Sequence, residues 1–452
     1  MNVTLNQAHI LTFGAFAALV LNAMFGSLAA LTFMACGTLL IVTNIPASID
    51  SLRRWWFVLL LPAYCMLTAL WSLYPGNSLR YGLQLAFTVV VAIVITGRVS
   101  TASLMRLMFV VYGIGVIASL LFGRTGLGGA WVGVFGSKNA VAAHIAVFAL
   151  LSVAVAADSK SHWTMRLLGV AGAVLSPPLL MLAQSAGASL MVMPCIGIVL
   201  ISILSARLSS MQRLFVIVML ALLAAALVLV VVTAGDALLA GILEGAGKDA
   251  TLTGRTDLWA TGLSFIAERP LQGLGYRSFW VAGFAPAEEL WAMFDVPSGA
   301  GFNFHSTYIS NAVEIGLLGL MLQIAIIYGG AILMAAYTFA RPTAPNALLL
   351  GLQTLMIMRS FIEVEVFFEF SIRSIMGVAT LIYAAAGLIA LRRPALVARR
   401  SRPFRGVLSH VAVPAKPRSF PHPHLEAAGS AAPRAGVHDR PVREQLDLRR
   451  LR

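Results

Sequence analysis

The chain of 452 residues is 59% hydrophobic and 11% charged, with a formal net charge of +14 and a mean hydropathy of +0.87. Soluble globular proteins carry about 25% charged residues, so this composition excludes an ordinary cytosolic enzyme, a disordered chain and a disulfide scaffold, and leaves a polytopic membrane protein. The charge is uneven: residues 392–452 hold 14 of the 32 Lys and Arg and 4 of the 18 Asp and Glu, a net +10 against +4 for the rest.

No Lys or Arg precedes Arg53, so the basic start of a secretory signal is missing. Residues 10–43 are uncharged and mostly apolar. As a single helix this run would measure ~51 Å against a bilayer core of ~30 Å, so it is read as two spans turning near Asn22, Gly26 and Ser27. Apolar runs follow at about 56–73, 81–97, 103–122, 139–157, 165–183, 187–206 and 214–234, and again at 306–339, 345–361 and 374–391. The run 306–339 is long enough for an entry segment plus one span. The expected fold is therefore all-α and polytopic, with about twelve transmembrane helices in residues 1–391, because a spanning segment must satisfy its own backbone in lipid. Cys36, Cys65 and Cys195 lie inside apolar runs and read as small buried hydrophobes.

The polar gap at about 235–304 is expected to be one large outer loop. With the amino terminus inside, the inner loops hold Arg53, Arg54, Arg98, Arg106, Lys160, Arg166, Arg207, Arg213 and Arg341, and the short outer loops hold Arg80, Arg124, Lys138, Arg359 and Arg373. The positive-inside rule then puts both termini in the cytoplasm. The tail 392–452, rich in Pro, Ala, Arg and His, is expected to be disordered and anchored on anionic lipid. No nucleic-acid partner is expected.

Within the loop, TGRTDLWATGLSFIAERPLQGLGYRSFW predicts an amphipathic helix. Thr253 would cap it, and it would start near Arg255. Leu258, Trp259, Leu263 and Ile266 would form one face, and Pro270 would end it before the loop residues Gly273 and Gly275. Arg255 is placed to meet an anion near the headgroups or to lie at the interface with its stem buried. His305 stands at a predicted outer span entrance, and Glu314 follows nine residues later in apolar sequence, where a carboxylate is costly and suggests function. Lys138 and Asn139 open a helix after a glycine-flanked loop, a plausible phosphate contact. Arg359–Glu363 and Glu369–Arg373 have the spacing of i,i+4 ion pairs on a helix. Walker A, Rossmann and H-E-x-x-H patterns are absent, and Glu363-x-Glu365 is thin support for a metal.

Five segments taken in order resemble the O-antigen ligase and polysaccharide polymerase superfamily of bacterial inner membranes. They are TALWSLYPGNSLRYGLQLA, VGVFGSKNAVAAH, MLAQSAGASL, GRTDLWATGLSFIAERPLQGLGYRSFW and HSTYISNAVEIGLLG. The resemblance implies a multi-pass enzyme of the inner membrane, a metal-independent glycosyltransferase without a cofactor. Its donor would be a polyprenyl-pyrophosphate-linked glycan and its acceptor a glycan or a lipid-linked glycan, and polysaccharide-export proteins would be its partners. By the same resemblance His305 would be the base or positioner of the acceptor hydroxyl and Arg255 would hold the pyrophosphate. Imidazole titrates near neutral pH and guanidinium grips phosphate bidentately, so the residue types suit these roles. Lys138, Asn139, Arg277, Arg80, Glu314, Gln184 and Ser185 are the candidate substrate-binding residues. Ligases often carry Arg directly after the Ser of the Gln-Ser segment, where this chain has Ala186. A second phosphate-binding cation would then come from elsewhere, with Lys138, Arg80 and Arg277 as candidates, and the exopolysaccharide-polymerase branch is preferred. A lipid-linked glycan flippase and a non-catalytic subunit of an export assembly are the alternatives.

Overall fold

A computed structural model describes residues 6–126, 129–216, 255–296, 301–365 and 367–400, with isolated positions at 218, 219, 222, 226, 233 and 299. The protein is an all-α polytopic membrane protein. Helices form at each apolar run that falls among these residues: α1 (Gln7–Val20), α2 (Ser27–Val42), α3 (Ile45–Arg54), α4 (Trp56–Leu70, with 3-10 ends), α5 (Pro75–Arg98), α6 (Thr101–Phe122), α7 (Lys138–Ala157), α8 (Trp163–Leu182) and α9 (Ala186–Leu204). After the gap come α10 (Arg255–Glu268), α11 (Ala285–Met293), α12 (Thr307–Ala340), α13 (Ala344–Ser360) and α14 (Ile372–Arg400). The helix starts follow from local chemistry. The side chains of Asn6, Ser100, Ser137, Ser306 and Thr343 accept from backbone N–H groups of the first turn, satisfying donors that would otherwise lie unpaired.

The expectation of twelve spans is not met among the described residues. Seven helices are long and apolar enough to cross a membrane, or eight if α2 and α3, bent by 96° at their junction, count as one span. Helix α1 has 14 residues and α13 has 17, short of the ~20 that a perpendicular crossing needs. The run 214–234 lies mostly outside the described residues. The paired hairpin expected for 10–43 is present: α1 and α2 pack together across a turn at Asn22–Gly26.

Helix α7 is the centre of the bundle, with 72% of its apolar window buried, whereas α8 and α9 bury 28% and 22% and turn most of their surface outward. Exposed Leu167, Val174, Met181 and Leu190 are what a lipid-facing surface requires. Between α6 and α7 a two-stranded ribbon, Arg124–Thr125 against Trp131–Gly133, closes the loop. The three cysteines are free, and Cys65 and Cys195 are buried.

The loop residues build a small core of their own. Leu258, Leu274, Phe279, Ala287, Leu290, Phe304 and Val313 are buried together, with Phe265, Trp280, Trp291 and Phe302 packed on them. Helix α10 is where the sequence places it, but its buried face differs. Leu258 and Gly262 are buried with Phe265 and Ile266 against the core, while Leu263 is 56% exposed. The inward stripe therefore runs 258, 262, 265 and 266, and Leu263 points away from it. The expected Thr253 cap lies outside the described residues. So does the tail beyond Arg400, while residues 392–400, expected to begin a disordered tail, belong to helix α14.

Candidate active site around Glu363

Between α13 and α14 the described residues of 361–371 are not helical, and this decides the electrostatics. Neither expected i,i+4 pair forms. Arg359 Nε donates to Glu365 at 2.7 Å, Arg373 reaches the same carboxylate at 3.4 Å, and Glu369 pairs with Arg277 at 2.8 Å. The pairing rule requires one continuous helix face, and that face is absent here. Glu363 and Glu365 turn to different partners, so the Glu-x-Glu pattern does not make a metal site. Among the described residues no cluster of His, Cys, Asp and Glu is arranged to hold a metal ion.

Glu363, freed from Arg359, becomes a junction. His305 Nδ1 lies 3.4 Å from its Oε2, and Asn139 Nδ2 donates to its Oε1 at 3.0 Å. Arg255 Nη2 stands 3.8 Å from Oε1, while its Nη1 donates to the Ile362 carbonyl at 3.1 Å. Behind Asn139, Ser185 Oγ donates to Asn139 Oδ1 at 3.4 Å. Three of the residues singled out by sequence (Arg255, His305 and Asn139) thus converge from three separate chain segments on a carboxylate whose spacing predicts a pair with Arg359, and Ser185 stands behind Asn139. Its sequence signal is an acidic pair set within apolar sequence.

Each member is held by its element. Asn139 is the second residue of α7, behind the Ser137 cap. Arg255 opens α10, whose Trp259 Nε1 donates to the Phe304 carbonyl at 2.8 Å and ties the helix to the residue before His305. His305 has a left-handed backbone, φ +49, stabilised by its N–H donating to Asn303 Oδ1 at 2.8 Å. A non-glycine residue there carries strain that persists only where surroundings impose it, and such residues cluster at functional sites. Thr307 Oγ1 donates to the Glu363 carbonyl at 2.8 Å and accepts from the Glu365 N–H at 3.0 Å. The start of α12 and the 361–371 segment are thereby fixed against each other. The His305 side chain is 28% exposed, Arg255 19% and Glu363 16%, so the cluster is half-buried and open to a ligand.

Glu365, two residues on, is enclosed. Burial opposes its charge, but Arg373 and Arg359 outweigh burial and hold its carboxyl below the usual carboxylate range.

A second group docks the loop onto the bundle. Glu314, in the first turns of α12 before the break at Gly316 (φ 63, ψ −177), accepts the Arg277 N–H on Oε2 at 2.9 Å, and its carbonyl accepts the Gly275 N–H at 2.8 Å. A Cβ on Gly273 would meet the Glu314 carbonyl oxygen at 2.6 Å, and one on Gly316 would meet the Leu271 carbonyl oxygen at 2.2 Å. The Gly-x-Gly and Glu-x-Gly segments therefore share one purpose, close backbone contact between loop and helix. Tyr276 extends the dock: its N–H donates to Thr68 Oγ1 at 2.9 Å and its hydroxyl to the Phe367 carbonyl at 3.0 Å. Burial, and then the charge of Glu369, push that hydroxyl well above its ordinary value, which keeps it a neutral donor. Arg277 lies over Tyr81 and Phe368 with its charge on Glu369. Burial opposes that charge and Glu369 more than restores it.

The remaining candidates stay apart from the Glu363 junction. Arg80 is exposed and lies 5.4 Å from the centroid of the Tyr81 ring. Lys138 is exposed at the start of α7, and Gln184 is exposed with φ +50. Another histidine, His144, is enclosed between Tyr112 and Phe135, with ring centroids 4.4 Å away on both sides.

A family model described as O-antigen ligase matches residues 171–324, a stretch that includes Ser185, Arg255, His305 and Glu314. Over 386 residues the chain is 31% identical to the exopolysaccharide production protein ExoQ of Rhizobium meliloti (strain 1021), covering 82% of this chain and 85% of that protein.

Proposed function

The chain belongs to the O-antigen ligase/polymerase-like family, and from that membership we propose that it is a glycosyltransferase joining polyprenyl-pyrophosphate-linked glycan at the outer face of the bacterial inner membrane. The product is exopolysaccharide, in keeping with the relative being an exopolysaccharide production protein. The observation that carries the proposal is the convergence of His305, Arg255 and Asn139 on Glu363 in a half-open cluster.

In this reading the Glu363 carboxylate holds His305 through Nδ1, leaving Nε2 to take the proton of the acceptor hydroxyl. The acceptor oxygen bonds to the anomeric carbon, the bond from that carbon to the phosphate oxygen breaks, and lipid pyrophosphate leaves with the bonding pair. Arg255 opposes the charge that gathers on the leaving pyrophosphate. Two of its nitrogens are oriented by Ile362 and Glu363, so the guanidinium fork is set before the ligand arrives. The donor is already activated, and no nucleotide or metal is required in this scheme. The aromatic loop core holds His305 and Arg255 in register over the membrane body.

The orientation rests on charge. The loops assigned inside carry the excess of Lys and Arg, which puts both termini in the cytoplasm and the Glu363 cluster outside. About twelve crossings fit this arrangement if the short helices and residues 214–234 also cross.

The test is transfer in vitro by the purified protein with a polyprenyl-pyrophosphate-linked repeat unit. Growth of the glycan with release of lipid pyrophosphate is expected. Wild-type protein that only moves the intact lipid across a vesicle bilayer would replace the enzyme reading with the transporter one.

A further inference from the structure

A cavity of about 350 Å³ is lined by α1, α6, α7, α13 and α14 with the segment leading into it. Two of its lining residues neighbour the Glu363 cluster in the chain: Ala140 follows Asn139, and Glu365 stands two residues from Glu363. Its depth can be read from three helices. It is lined on α7 from Ala140 to Val147, on α13 from Arg359 to Leu352, and on α14 from Arg373 to Thr380. Each stretch is a rise of seven residues, ~10 Å at ~1.5 Å per residue. The deep walls are mostly apolar, with Met108, Val147, Leu352, Met356 and Met376, and carry the uncharged polar groups Gln353 and Thr380.

The charge lies at the shallow end. The groups there are Arg359, Arg373, Glu365 and Glu369, and Arg277 enters the count because it pairs with Glu369. Three guanidinium groups face two carboxylates, a surplus of one positive charge. The surplus belongs to Arg373. Glu365 is taken by Arg359 at 2.7 Å with both side chains enclosed, whereas Arg373 touches it at 3.4 Å and remains 43% exposed. The result is an apolar shaft with one underused guanidinium at its mouth, beside the residues proposed to act on the pyrophosphate.

We propose that this cavity seats the first isoprene units of the donor's carrier lipid, and that Arg373 is the second cation on its pyrophosphate. The assignment rests on the reaction proposed above. It supplies the charge missing at Ala186. Of the cations expected from sequence to fill that role, Arg277 is committed to Glu369, and neither Lys138 nor Arg80 lines the cavity.

The test is equilibrium binding to purified full-length protein of four probes: undecaprenyl pyrophosphate, farnesyl pyrophosphate, inorganic pyrophosphate and dioleoyl-phosphatidylglycerol. Wild-type protein is expected to bind both isoprenoid pyrophosphates more tightly than inorganic pyrophosphate. Arg373→Ala should weaken both by about tenfold or more, the loss of one charge-assisted hydrogen bond, and Arg373→Lys should recover part of it. Glu365 keeps Arg359 in these variants, so the fold should survive, as thermal unfolding will show. Ala143→Leu, which narrows the shaft, should weaken the isoprenoid probes and leave inorganic pyrophosphate binding unchanged. In transfer assays Arg373→Ala should raise the donor KM more than it lowers kcat. Unchanged isoprenoid binding by Arg373→Ala overturns the proposal, and so does phosphatidylglycerol that competes on equal terms. These binding results are independent of turnover: His305→Ala should bind the probes normally while transferring nothing, and a wild-type protein that binds them but never transfers glycan fails the reaction, not the site.

Discussion

Glu363 and Glu365 are two residues apart on one short segment, yet they occupy opposite situations. Glu365 is enclosed, with Arg359 at 2.7 Å and Arg373 at 3.4 Å. Glu363 is partly open and serves three different side chains at 3.0, 3.4 and 3.8 Å. A carboxylate saturated by guanidinium groups fixes the segment, because breaking a buried pair leaves an uncompensated charge. A carboxylate with looser contacts and access to solvent can reorganise around a ligand, and catalytic contacts are often long until substrate arrives. One acid thus holds the segment in place while its neighbour, two residues away, is left for chemistry.

Substitutions at both acids and their partners sharpen this contrast. The largest effect is expected at the partners of Glu363. His305→Ala and Arg255→Ala should each abolish measurable transfer, a loss of about 10²–10⁴ for a base and about 10²–10³ for a charge-stabilising donor, with normal membrane abundance. Arg255→Lys should recover little, since a point charge does not replace a fork. A fully active His305→Ala enzyme would remove the base assignment. Next comes the Glu365 side: Arg359→Ala should destabilise the protein by about 3–5 kcal/mol, read as loss of folded protein in detergent, with any folded remainder retaining kcat. If folded Arg359→Ala were instead fully stable and inactive, the division of labour between the two acids would be reversed.

Glu363→Gln keeps the size and hydrogen-bonding capacity but loses the charge. Its kcat should fall by about 10² while its melting temperature stays near that of the native protein. Glu365 also has a pH signature. Its carboxyl is held below the usual carboxylate range by Arg373 and Arg359 against burial, so its stabilisation is present above the unfolded-state value and disappears only as pH falls through the depressed native value. The stability gap between the native protein and Glu365→Gln should therefore persist from neutral pH down to about pH 4 and close only below it. The smallest effect is at Arg269, exposed at the end of α10: Arg269→Ala should leave both transfer and stability unchanged, and a marked loss there would extend the site beyond the Glu363 junction.

The sequence alone determined the class of protein and the positions of most elements. Apolar runs become helices because lipid offers no other partner for the backbone, and the turn at Asn22–Gly26 and helix α10 lie where local residue chemistry puts them. It also picked out His305, Arg255 and Asn139, since their residue types match the chemistry that the resemblance implies. Only tertiary structure decided whom the acids serve. The spacing 359–363 and 369–373 predicts helical pairs, but residues 361–371 leave the helix, and the partners come from segments as distant as Asn139 and Arg277. Glu314 shows the same limit. A carboxylate in apolar sequence suggests chemistry, while here it accepts the loop's Arg277 N–H and the residue's carbonyl accepts the Gly275 N–H. A side chain's periodicity is a local property written in the chain, whereas its charge partner is fixed by which segments the packed bundle brings within a few ångströms.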